Sequence, residues 1–228
     1  MLRNVRFRRA GGVLVWLATA VLLGNTAMAQ SGRLHNAAYT VCFTPGGPCT
    51  HSIVKTIDGA HKSIDVQAYS FTSAPIAKAL LHAKKRGVKV FVLLDKSNVS
   101  SKYSVVNTLQ NNHIPFLIDD KPAIAHNKVM IIDAGTKHAA LITGSFNYTK
   151  SAQVRNAENV LIIHSTVLAH DYLMNFKTRQ AKSISYSQYC MHSTHCKIRS
   201  TASDIGNSIE SGAEKSWKKT KSIWHKSS

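Results

Sequence analysis

Acidic residues are scarce in this chain of 228 residues, which has 11 aspartates and glutamates against 29 lysines and arginines. The few acids form no cluster along the sequence, so they offer no candidate for the carboxylate-rich site that two divalent metal ions require. The formal net charge is +18 at pH 7. Such a surface attracts polyanions, either nucleic acid or anionic lipid, although charge can also serve solubility alone.

Cysteine is also rare, with four residues that fall in two close pairs, Cys42 with Cys49 and Cys190 with Cys196. Neither pair has the CxxC spacing that is typical of a structural zinc site. Four cysteines allow three pairings, and two short disulfide loops are the simplest interpretation for an exported chain.

The apolar run near the N-terminus is too short for a membrane span. Residues 13–23 are about half of the roughly 20 residues that cross a bilayer. The run follows four arginines and precedes the small-residue triplet at residues 27–29, which is the layout of a secretory signal peptide. We therefore predict a signal peptide at residues 1–29 and a periplasmic or secreted mature chain, with an uncleaved anchor as the alternative. Cleavage leaves 25 basic against 11 acidic residues, a charge of +14.

Strand-like and helix-like apolar patterns alternate between Tyr39 and about Arg179. This alternation predicts one α/β domain at residues 30–182. Ser73 is expected to begin a helix that Gly87 ends. The predicted strands cover residues 64–69, 88–94, 114–118, 129–132, 139–143 and 159–163, and two further helices cover residues 103–109 and 167–179.

Residues 183–228 are rich in Ser, Lys and His, and we predict a basic C-terminal tail that is partly disordered or an amphipathic helix. Apolar residues recur there at every fourth position, but two glycines would weaken a helix by roughly 1 kcal/mol each. The tail is either solvated, an arm that binds nucleic acid, or a helix on a membrane surface. The candidate nucleic-acid contacts are Lys215, Lys218, Lys219 and Lys221.

Polar residues interrupt two of the predicted strands at their ends. His126 and Lys128 are two positions apart, so both side chains project from the same side of an extended chain. Ser145 and Asn147 have the same spacing, and a turn around Gly135 joins the two strands. Because such a hairpin brings strand ends together, we expect the four side chains to surround one phosphate group.

The four residue types suit phosphate chemistry. Lys128 offers a compact positive charge, and Ser145 and Asn147 offer neutral hydrogen-bond donors. Gly144 lets backbone approach an oxyanion closely. An isolated histidine beside a strand is more often structural than catalytic, but this combination makes His126 the natural nucleophile.

The motif resembles the signature of the phospholipase D superfamily, HxKxxxxD followed by GSxN. The matching residues are His126, Lys128, Asp133, Gly144, Ser145 and Asn147. The resemblance extends to residues 42–46, 66–71 and 157–159, excludes the tail, and is closest to the small bacterial endonucleases with a single motif. It implies one domain per chain, with a mixed, largely parallel central sheet that is flanked by helices on both faces.

In that superfamily two motifs meet at one active site, where one histidine attacks phosphorus and the other protonates the leaving oxygen. This chain has one complete HxKxxxxD motif followed by GSxN, so the resemblance implies a homodimer in which both copies of His126 meet at a two-fold interface. It also implies that Glu158 orients the His126 ring. Asp133 follows Lys128 by five positions, roughly 16 Å in a strand, so we expect it to have a structural role. Covalent chemistry through histidine requires neither a metal ion nor another cofactor.

These features favour an exported endonuclease that cleaves DNA and RNA through a phosphohistidine, with little sequence preference. The first alternative is a phosphodiesterase for an anionic phospholipid such as cardiolipin, with the tail in weak contact with the membrane surface. The second is a non-catalytic protein that binds nucleic acid. Binding alone does not require four polar side chains that focus on one phosphate, which argues against this last alternative.

Overall fold

A computed structural model describes residues 31–34, 37–194 and 196 of the chain. The signal peptide predicted at residues 1–29 lies outside the described residues, and so do the four candidate tail lysines Lys215, Lys218, Lys219 and Lys221. Within the described part, no helix is both long and apolar enough to cross a membrane.

The described residues form seven strands and seven helices. The strands are β1 (Tyr39–Thr44), β2 (Ser63–Ala68), β3 (Lys89–Asp95), β4 (Phe116–Asp119), β5 (Lys128–Ile132), β6 (Ala140–Gly144) and β7 (Glu158–Ile163). The helices are α1 (Cys49–Asp58), α2 (Ala74–Lys85), α3 (Ser97–Ser100), α4 (Val106–Asn111), α5 (Lys150–Val154), α6 (Thr166–Gln180) and α7 (Tyr186–His192).

The strands form a single sheet in the order β1-β7-β6-β5-β2-β3-β4. The predicted mixed α/β sheet with flanking helices is confirmed. The expectation that it is largely parallel is wrong, because only β2–β3 and β3–β4 pair in parallel and the other four pairings are antiparallel. Among strands that are neighbours in the sheet, helical crossovers join β2 to β3 and β3 to β4. The β5–β6 connection is a short hairpin, which reverses the strand direction.

Local sequence signals account for most element boundaries. Helix α2 follows Ser73 and has Pro75 in its first turn, and Gly87 adopts a φ of 91° just after it. The predicted strand at residues 114–118 begins two residues later, at Phe116. Pro115 has no N–H to donate to a neighbouring strand, which delays regular pairing.

Helices pack on both faces of the sheet and bury two apolar layers. Helices α1 and α2 cover one face, with Ile53 and Leu80 fully buried in the larger layer. Helix α6 covers the other face, where Phe176 packs edge-on against Phe91 at 6.1 Å between ring centroids. These layers hold the strands rigidly and leave the strand ends to carry the polar residues.

Both disulfides favoured by the sequence form in the structure. Cys42 is bonded to Cys49, which ties β1 to the first residue of α1, and Cys190 is bonded to Cys196. Disulfides persist in oxidising compartments such as the periplasm and the extracellular space.

The packed structure continues past Lys182, where the sequence predicts that the tail begins. Ile184 pairs with Ile118 of β4 in an isolated antiparallel bridge. The Tyr186 ring at the start of α7 lies 5.9 Å from that of Phe116, between centroids. The tail therefore begins later than predicted, since these few apolar side chains suffice to dock α7 on the sheet.

Candidate active site

The predicted site residues lie at one end of the sheet, which we call the site end. Lys128, the first residue of β5, pairs with Ala68, the last residue of β2. Gly144 ends β6, and Glu158 begins β7 opposite Thr44. Because neighbouring strands alternate in direction here, the start of β5, the end of β6 and the start of β7 meet at this end.

Tyr69 brings His126 and Lys128 together at the site end. Its ring centroid lies 4.5 Å from that of His126, and the Lys128 Nζ lies 4.9 Å from the same tyrosine centroid. The Tyr69 N–H also donates to the Asn127 carbonyl at 2.8 Å. The aromatic face attracts the ammonium group, and the same ring packs at a tilt against the imidazole. The sequence analysis assigned Tyr69 no role, although it lies in the segment 66–71 on which the resemblance partly rests.

Lys128 is buried while His126 is exposed. Only 6% of Lys128 is accessible, and its Nζ donates to the His126 carbonyl oxygen at 3.2 Å. Burial lowers the pKa of Lys128 because it penalises the charged form, and the nearby Glu158 carboxylate raises it. A buried ammonium beside an accessible imidazole favours the binding of an anion.

Ser145 and Glu158 form a compact hydrogen-bond network beside Lys128. The Ser145 hydroxyl donates to Glu158 Oε2 at 2.6 Å and accepts from the Asn159 backbone N–H at 3.1 Å. Asn156 Nδ2 donates to Glu158 Oε1 at 2.8 Å. Among the hydrogen bonds of the described residues, the predicted contact of Glu158 with His126 does not occur, and the two carboxylate oxygens bond instead to Ser145 and Asn156. The sequence analysis did not identify the two asparagines.

Asn147 is positioned by the two aromatic residues that flank it. Phe146 and Tyr148 are 2% and 1% exposed. The Tyr148 N–H donates to the Ser70 carbonyl at 3.2 Å, which ties this segment to the end of β2. Asn147 Oδ1 is buried without a hydrogen-bond partner among the described residues. A buried amide oxygen without a donor costs free energy, so a donor from outside the chain would stabilise it.

The chain is similar in sequence and fold to known proteins. The family model for the phospholipase D-like domain of cardiolipin synthase matches residues 53–180. The chain belongs to the phospholipase D superfamily. It is therefore a phosphodiesterase of that superfamily, as the sequence signature predicts.

Several superfamily members are similar to the chain over most of its folded part. A phospholipase D of Rickettsia conorii is 47% identical over 151 residues, which are 66% of this chain and 74% of the relative. The human mitochondrial cardiolipin hydrolase is 30% identical over 137 residues, 60% of this chain and 53% of the relative. The crystal structure of Nuc, a phospholipase D family member from Salmonella typhimurium, is 34% identical with a TM-score of 0.61, and the match covers 66% of this chain and 98% of that chain.

The aspartate of the phospholipase D signature lies away from the other motif residues. Asp133 follows β5 at the opposite end from Lys128 and is 1% exposed. Its carboxylate accepts hydrogen bonds from the backbone N–H groups of His61, Lys62 and Ser63 at 2.8, 2.6 and 3.0 Å. Asp133 therefore holds the segment that enters β2 and does not contact the phosphate-binding side chains.

The glycine of the signature is required by strand packing. Gly144 adopts a φ of 145°, and a Cβ at this position would collide with the backbone oxygen of Asn159. Only glycine allows β6 and β7 to approach this closely. The sequence analysis predicted instead that Gly144 permits the approach of an oxyanion.

Proposed function

We propose that the chain is an exported, metal-independent endonuclease that cleaves DNA and RNA as a homodimer. The observation that carries the proposal is the packing of Tyr69 against both His126 and the buried Lys128, beside Ser145. The net charge of +18 supports a polyanionic substrate. The two disulfides support export.

Each motif side chain has a definite part in the proposed reaction. An imidazole nitrogen of His126 attacks phosphorus, the N–P bond forms, and the bond from phosphorus to the leaving oxygen breaks. Lys128 compensates the charge on the non-bridging oxygens, and Ser145 and Asn147 orient them. His126 of the partner subunit protonates the leaving oxygen. It then takes a proton from the water that hydrolyses the phosphohistidine, which restores both imidazoles.

The need for a second chain rests on the number of motifs. The full sequence contains one complete HxKxxxxD motif, and the reaction uses one imidazole as nucleophile and another as acid. A two-fold axis beside His126 would supply both imidazoles from identical subunits. The unpaired Asn147 Oδ1 is consistent with a donor from the substrate or the second subunit.

The deciding experiment is digestion of plasmid DNA by the mature protein in excess EDTA. Wild type should cleave, and His126→Ala should not. The matched control is His82→Ala, which removes an exposed histidine from α2 and should cleave like wild type. Absence of cleavage by wild type would overturn the nuclease proposal, and equal cleavage by His126→Ala would overturn the role of His126.

A second candidate function is hydrolysis of an anionic phospholipid. It is favoured by the family model, whose description is that of cardiolipin synthase, and by the similarity to the human mitochondrial cardiolipin hydrolase. Vesicles that contain cardiolipin test it, with released phosphatidic acid as the readout. Cleavage of the lipid together with intact plasmid DNA would replace the nuclease proposal by this one. Inactivity on both substrates would favour a protein that only binds.

A further inference from the structure

A cavity lies at the end of the sheet opposite the site end. Its volume is about 520 Å³, and its floor is formed by Ile132, Ala140 and Ile162 on the face that α1 covers. Helix α1 and the β5–β6 connection form its walls. We call it the basic pocket, after its cationic and titratable lining residues His51, Lys55, Lys137, His138 and His164.

The lining of the basic pocket is enriched in basic residues and contains no acid. Five of its twelve lining residues are Lys or His, against 41 of 228 Lys, Arg and His in the whole chain. Lys55 and Lys137 form no salt bridge within the described part of the chain. Cations that are grouped in a concavity without counter-charges attract an anion.

Hydroxyl groups complete the lining. Thr40, Ser52 and Thr56 also line the basic pocket. The two helical hydroxyls donate back to backbone carbonyls one turn earlier, Ser52 at 3.3 Å and Thr56 at 2.8 Å. Their protons are therefore engaged within the α1 wall. The donors that the lining offers to a phosphate are the ammonium groups of Lys55 and Lys137 and the histidine imidazoles.

The carboxylate nearest to Lys137 and His138 in the sequence lies outside the lining of the basic pocket. Asp133 begins the β5–β6 connection that carries these two residues, and both of its oxygens accept backbone N–H groups of residues 61–63. The His138 ring instead contacts the ring of His61, with 5.1 Å between centroids. The imidazole of His138 is thus held by a second imidazole.

The basic pocket is distinct from the candidate active site. Ile132 ends β5 and Lys128 begins it, so four strand steps, roughly 13 Å, separate them. Glu158 and Ile162 have the same separation on β7. A small ligand in the basic pocket therefore cannot contact the side chains at the site end of its own chain.

We propose that the basic pocket is a second phosphate-binding site. The phosphate group belongs either to a small phosphorylated molecule or to the backbone of a nucleic acid. A metal ion is a poorer fit, because among the described residues no group of three or more His, Cys, Asp or Glu is arranged to hold one. The proposal does not depend on the reaction at the site end.

The test is a site-resolved titration of the full mature chain with inorganic phosphate. The readout is the set of histidine ring signals in NMR spectra, assigned by single His→Gln variants. The signals of His51 and His164 should shift and saturate. Lys55→Gln combined with Lys137→Gln should weaken this binding by about tenfold, because two charged donors are lost. The matched control, Lys78→Gln with Lys85→Gln, removes the same charge from the exposed face of α2 and should leave the affinity within about twofold.

Further titrations distinguish a small phosphorylated ligand from a nucleic-acid backbone. A short DNA oligonucleotide, titrated into the His126→Ala variant, should shift the same signals if backbone phosphates bind there. A response to phosphate and pyrophosphate alone would assign the pocket to small molecules. Three outcomes would each overturn the proposal. They are phosphate-induced shifts of the His126 signal alone, an equal loss of phosphate affinity in the control variant, and signal shifts with zinc but not with phosphate. None of these results depends on whether plasmid DNA is cleaved.

Discussion

The ring of Tyr69 lies 4.5 Å from the ring of His126, centroid to centroid, at an interplanar angle of 58°. The two residues come from different strand ends, after β2 and before β5. The contact lies on the β2 side of β5, whereas Ser145 follows β6 on the other side of β5. We expect the Tyr69 ring to help orient His126.

Removal of that ring should impair the reaction more than removal of its hydroxyl. We expect Tyr69→Ala to lower kcat by roughly 10- to 100-fold, because both the imidazole and the Lys128 ammonium lose their packing surface. Tyr69→Phe retains the ring and should stay within about threefold of wild type. Steady-state cleavage kinetics measure the effect. Tyr103→Ala, which removes an exposed tyrosine, is the control, and equal losses in Tyr69→Ala and Tyr103→Ala would contradict the positioning role.

Loss of Lys128 should separate chemistry from binding. Lys128→Ala is expected to reduce the cleavage rate by roughly three decades or more, because the charge of the transferred phosphoryl group is no longer compensated. DNA affinity should change by no more than about threefold, since many other basic residues contribute to it. Single-turnover cleavage and a binding titration measure the two quantities. Circular dichroism must show an intact fold, and a parallel loss of affinity and rate would refute the prediction.

The activity of mixtures of wild-type and inactive subunits should show whether two chains share one active site. If each site needs His126 from both chains, co-refolding equal amounts of wild type and His126→Ala leaves about one quarter of the dimers active. Independent monomeric sites would retain about one half of the activity. Differently tagged subunits allow the mixed dimers to be isolated and assayed alone. Substantial activity in that isolated species would rule out the shared site.

Stability should respond to the ionisation of Asp65 between pH 4 and pH 6. Burial raises the pKa of Asp65 from 3.8 to about 6, and Lys177 partly opposes the shift. The folded state therefore binds the Asp65 proton more tightly than the unfolded state does. This tighter binding stabilises the fold fully below the unfolded pKa, and the stabilisation is lost as the pH rises through about 6. We expect Asp65→Asn to exceed wild type in stability at pH 8 by on the order of 1 kcal/mol, after allowance for solvent screening.

Urea unfolding at pH 4, 6 and 8 measures this difference, which should vanish near pH 4. Asp58→Asn is the control, because the Asp58 side chain is 52% exposed and its contact with Arg86 is long, at 3.9 Å. It should show little dependence on pH. A stability difference for Asp65→Asn that is the same at all three pH values would contradict the raised pKa.

The sequence by itself determined those features that depend on near neighbours in the chain. Period-two alternation located β2, and a β-branched run located β3, because side-chain direction repeats locally along a strand. The spacing of His126 from Lys128 predicted the motif. Cys42 and Cys49 were close enough in the chain for their pairing to be favoured without a structure.

Tertiary structure alone decided what lies between segments that are distant in sequence. The antiparallel insertion of β5 beside β2 puts Tyr69 against His126, and no local pattern encodes that strand order. The hydrogen bond between Glu158 and Ser145, which are 13 residues apart, was missed for the same reason. His51 and His164 meet in the basic pocket only because α1 packs over the far end of β7. Local periodicity specifies which way a side chain points, whereas the packing of the whole sheet decides what it meets there.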